Sequence, residues 1–215
     1  MSDEQSRMVM ASMTGGRPSD YMLDNFVAHK LSLLTECGAP EYVYNENWLG
    51  TFILNSVFIT QLAPKPRAYA FNFLRRAQGA LSSYSLARSE LIGYLQTPPN
   101  VSSPYFRSLL HFEVCISQSY QALELLATAS GFDVFDNNDG SKEERLYRLY
   151  VRSKHMDKMI ESGQIPIEAT SALWLTNDGI ECSVASLSLE ELLSLLKWIA
   201  ETANRIARME FGKDG

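Results

Sequence analysis

Three histidines and three cysteines in 215 residues leave few ways to build a metal centre or a nucleophilic site. Cys37, Cys115 and Cys182 are widely spaced and odd in number, the pattern of reduced thiols rather than of a disulfide framework. No Gly-rich phosphate loop, His-Glu-x-x-His pair or nucleophile elbow occurs. None of His29, His111 and His155 has a glutamate three residues before it, which argues against a di-iron carboxylate bundle. The Asp/Asn-rich stretch 132–140 is not a calcium loop, because counting back from Gly140 puts Phe135 at the first ligand position. A basic surplus is also missing: the net charge of −6 argues against broad binding along a nucleic-acid backbone and leaves room only for a local cationic site. The longest apolar stretch, 48–62, contains Asn55, Ser56 and Gln61 and is too short to span a bilayer as a helix. Residues 1–20 lack the apolar core of a signal peptide. These absences predict a cytoplasmic protein with no metal, no cofactor and no membrane partner.

What is present reads as helix. The hydrophobic content of 46% suits one globular core. Residues 1–18, rich in Met, Ser and Gly, are expected to be a disordered segment, and 10–16 resemble the leader of an expression tag. Residues 19–215 are expected to form a single domain. Leu23, Phe26, Val27, Leu31 and Leu34 predict a helix over 20–36, closed by Gly38 and Pro40. Further helices are predicted over 47–61, from Pro64 and Pro66 through Gln96, and from Ser103-Pro104, with a capping serine, to about Gly131. Ser141 and Glu144 form a capping box for a helix over 141–162, with Leu146, Leu149, Tyr150, Met156 and Ile160 inward. Two β-compatible runs, 172–176 and 180–184, flank Asn177-Asp178-Gly179 and predict a hairpin. Ser188 and Glu191 cap a last helix that runs to about Met209. The fold expected is all-α: an up-and-down bundle of about six helices with a small β-hairpin before the last helix.

The helix over 141–162 carries the candidate chemistry. At 3.6 residues per turn, Arg148 and His155 would point within roughly 20° of each other, and Arg152 would lie about 40° from Arg148. An imidazole can act as acid or base near neutral pH, and arginines can hold a scissile phosphate and stabilise its charge. The alternative is a solvated helix face on which Glu144 and Arg148 are i,i+4 neighbours. His29, beside Lys30, and His111, on the other side of its helix from Glu113, read as packing or surface residues.

A late helix in a helical bundle with Arg148, six residues, then His155 resembles the HEPN superfamily of ribonucleases and RNA-binding modules, whose signature is Arg-x(4–6)-His. Leu149 departs from the polar residue that often follows the arginine there. The resemblance implies a metal-independent endoribonuclease or RNA-binding protein of the toxin or defence type, acting as a homodimer. His155 would be the catalytic acid/base, and Arg148 and Arg152 the phosphate-binding residues. The alternative expectation is a non-catalytic helical module of unknown role whose Trp174 hairpin or Arg/His stripe docks a protein or small ligand.

Overall fold

The computed structural model describes residues 23–44, 47–59, 61–96, 101–163, 165 and 171–210. The expected disordered segment 1–18 lies outside them. Two long helices organise the rest: α2 (Pro64–Gln96), about 50 Å long, and α3 (Ser103–Ser130), about 42 Å long. Arg76 bonds Gln118, Ser108 bonds the carbonyl of Ala87 and Arg107 pairs with Glu90; as one number rises the other falls, so the two helices are antiparallel. Ala77, Ala80, Leu81, Ala87, Phe112, Cys115 and Ile116 are fully buried between or beside them. α3 begins after Ser102, which makes no side-chain cap, and ends at Gly131, whose φ of 75° is the left-handed conformation glycine adopts freely.

Around this pair lie α1 (Trp48–Phe58), α4 (Lys142–Lys154), the short α5 (Met156–Glu161) and α6 (Leu189–Ala207). The capping box expected at Ser188 and Glu191 is complete, with both reciprocal hydrogen bonds at 3.1 Å. The one expected at Ser141 is half formed. Ser141 Oγ accepts from Glu144 N–H, while the Glu144 carboxylate turns to the preceding loop. α1 is fastened to α6 by Trp48 Nε1 donating to Asn204 and Asn55 Nδ2 donating to the carbonyl of Ala207.

Mostly helical is right; hairpin alone is not. Three antiparallel strands, β1 (Trp174–Leu175), β2 (Gly179–Cys182) and β3 (Ala185–Ser188), form a meander in that order, and β3 leads straight into α6. The third strand was hidden because residues 185–188 also read as the approach to a helix cap.

The helix expected over 20–36 does not form. Among the described residues there is a π-helical turn at Leu23–Val27 and a 3-10 turn at Leu31–Leu33, separated by Lys30 at φ 57°. Leu23, Leu31 and Leu34 are nevertheless buried. Competing hydrogen bonds explain the break. Asp24 accepts from the Ser32 backbone and hydroxyl, and Asn177 Oδ1 accepts from the backbones of Thr35 and Glu36. Gly38 N–H then donates to the Asn177 carbonyl at 3.0 Å, where a Cβ on Gly38 would lie 2.2 Å from that oxygen. Residues 34–40 therefore run as a strap, with Tyr84 and Arg88 donating to the carbonyls of Pro40 and Ala39.

Candidate functional site

The expected helix over 141–162 is two helices, breaking at His155 (φ −115°, ψ 38°). The continuous stripe that spacing alone predicts is thus interrupted at its third member. The inward face changes too: Met159 is buried, while Met156 and Ile160, expected inward, are exposed.

Arg148 is occupied. Its Nη2 donates to Glu144 Oε1 at 2.8 Å and to Asn138 Oδ1 at 3.2 Å. Glu144 is buried and also accepts from the backbones of Asn138 (3.0 Å) and Gly140 (2.8 Å). The Gly140 N–H, and after it Arg148, outweigh burial and hold this carboxyl below its ordinary range. The arrangement closes the loop before α4. The Arg152 guanidinium lies against the Met159 sulfur across the helix break. The His155 imidazole is half-buried and makes no hydrogen bond among the described residues.

A second cluster joins residues about 150 positions apart. On the hairpin, Trp174 faces Glu181 across the β1–β2 register, and its indole N–H donates to Glu181 Oε2 at 3.0 Å. Lys30 pairs with the same oxygen at 2.8 Å. Burial raises the Glu181 pKa, but the bonds from Lys30 and Trp174 outweigh it and leave it lowered. The His29 ring meets Trp174 edge-on at 4.6 Å, with its Nδ1 buried and unpartnered. Trp174 is 5% exposed, so its ring is not available to dock a partner. Sequence reading noted His29 beside Lys30 and, apart from them, Trp174; nothing in the spacing could have joined the pair to Trp174 and Glu181.

The feature that sequence reading missed entirely is a cavity of about 780 Å³ where α2 begins and α3 and α6 end. Ala70, Phe73 and Ile206, all buried, form part of its wall, with Leu62 and Leu126 half-buried beside them. Lys65, Arg205 and Glu210 contribute the charged groups. A neighbouring cavity of about 340 Å³ shares Leu126 and Ser130 and reaches Phe132 and Trp198. The residues lining the larger cavity come from three separate helix ends, so no local motif could have announced it.

Of the other expected candidates, His111 and Glu113 make no joint site. Cys115 is buried, and burial pushes its thiol up to about 12. Among the described residues no group of three or more His, Cys, Asp and Glu side chains could hold a metal ion, and no helix is long and apolar enough to cross a membrane. No family model, curated protein or solved structure matches the chain.

Proposed function

We propose that the protein is a non-catalytic helical module that binds a small apolar-bodied ligand in the cavity between the ends of α2, α3 and α6. The observation that carries this is the cavity itself. Its volume of about 780 Å³ falls within the roughly 300–1,000 Å³ typical of ligand sites, and its wall is mainly apolar with a few polar groups at the edge. The candidate catalytic set fares less well by comparison: Arg148 is committed to Glu144, and the helix that should align it with His155 is broken.

The test is titration with the neutral fluorophore N-phenyl-1-naphthylamine. Saturable binding is expected in the wild type and none in Thr202→Trp, a half-exposed lining position where the indole fills the cavity. Equal binding by the variant would sink the proposal. Phe58→Ser serves as a control, because the exposed Ile53, Leu54, Val57 and Phe58 on α1 offer the dye a second apolar surface.

A second reading, the HEPN-like metal-independent ribonuclease, is favoured by one observation. The imidazole of His155 is half-exposed, uncommitted among the described residues, and one turn from Arg152. It requires cleavage of mixed RNA in EDTA by the wild type and loss of that cleavage in His155→Ala. Without wild-type cleavage this reading falls.

A further inference from the structure

We infer that the cavity ligand is an anionic amphiphile, its hydrocarbon body against the apolar wall and its single negative head at Lys65. The inference rests on the ligand-binding reading and adds the sign and place of the ligand's charge.

The charged groups lining the cavity are two cations, Lys65 and Arg205, and one carboxylate, Glu210, in a chain whose net charge is −6. Arg205 already has a partner, so the cation left to a ligand is Lys65, and a cation there selects for anions by sign and repels cations. Lys65 is exposed, makes no ion pair among the described residues and stands in the first turn of α2, which contains no acidic residue. There the helix dipole adds to its charge. The ends of α3 and α6, whose dipoles oppose an anion, are muted by capping. Phe132 N–H donates to the Ala127 carbonyl, and Arg208, Met209 and Glu210 N–H donate to those of Asn204, Ile206 and Arg205. Tyr69 and Thr202 line the same space, and each carries a hydroxyl, a group that donates without adding charge. Beyond this polar edge the buried Phe73 and Ile206 and the half-buried Leu126 offer nothing that a polar body could bond.

The experiment is displacement of N-phenyl-1-naphthylamine from the full chain by three twelve-carbon probes below micellar concentration: dodecanoate, dodecanol and dodecyltrimethylammonium. Dodecanoate is expected to displace best and the ammonium worst. Lys65→Glu is expected to weaken dodecanoate by about tenfold, the effect of one charged hydrogen bond discounted for exposure, and to leave dodecanol unchanged. Raised salt should narrow the gap between the acid and the alcohol. Equal displacement by dodecanoate and dodecanol overturns the inference while leaving the cavity reading intact, as does an unchanged dodecanoate affinity in both Lys65→Glu and Lys65→Gln. Failure of the wild type to bind the fluorophore overturns the cavity reading as well.

Discussion

Replacing Glu113 by glutamine removes a carboxyl that burial alone pushes from 4.5 up to about 7. The residue sits on α3 between the buried Phe112 and Cys115, close enough to Tyr105 to help raise that hydroxyl's pKa, and has no hydrogen-bond or ion-pair partner among the described residues. Below about pH 4.5 the carboxyl is protonated in both the folded and unfolded chain and costs nothing. Between there and about 7 the unfolded chain releases its proton first, so stability falls as pH rises. Above about 7 both states are ionised and the penalty stays constant. At about 1.4 kcal/mol per pH unit, the wild type loses about 3 kcal/mol across this window. Glu113→Gln should therefore match the wild type at about pH 4 and exceed it by about 3 kcal/mol at about pH 8, a Tm gain of about 6–12 °C. Urea unfolding of both proteins at about pH 4, 6 and 8 measures it. Glu144, Glu181 and Glu191, whose pKa values are lowered, destabilise both proteins alike as pH falls and cancel in the difference. Parallel pH profiles for the two proteins would refute the reasoning.

Asn177→Ala removes three side-chain hydrogen bonds to Thr35 and Glu36, all exposed, and is expected to cost about 1–2 kcal/mol. Asn177→Asp keeps the accepting oxygen and should cost less; amide hydrogen exchange over 31–38 would show faster exchange in the alanine variant, and equal loss in both variants would contradict the assignment. Gly38→Ala drives a Cβ into the Asn177 carbonyl and should destabilise by more than Asn177→Ala, in the range of about 2–4 kcal/mol, by the same unfolding assay. Arg148→Ala should speed hydrogen exchange at Asn138 and Gly140 while leaving the amides of α6 unchanged, as a loop clasp requires and a free catalytic arginine does not.

Where local chemistry decides, the sequence was legible. Pro64, Pro66 and Pro104 mark helix starts through sterics and the pair Ser188/Glu191 through capping, all of which need only neighbouring residues, whereas Ser103, expected to cap, is itself the first helical residue. Where distant groups decide, it was not. Leu23, Leu31 and Leu34 have helical spacing and are buried as expected, yet Asp24 and Asn177 take the backbone N–H groups a helix would have used. The same limit governed the candidate site. The Glu144–Arg148 pair was readable as i,i+4 neighbours, but its bonds to Asn138 and Gly140 depend on how the loop folds back. The bend at His155 has no proline or glycine to announce it.

The strap has a consequence in time. Thr35 and Glu36 wait for a partner 141 or 142 residues further along the chain. At synthesis rates of about 5–20 residues per second, that wait is roughly 7–28 s for a chain leaving the ribosome. Through that interval α2 can already coil and meet α3, because their contacts are closer in sequence. The groups that later fix residues 34–40, Tyr84 and Arg88, stand ready before the hairpin exists. Thr35 and Glu36 are thus locked down by a residue made long after them, when α2 and α3 can already have met.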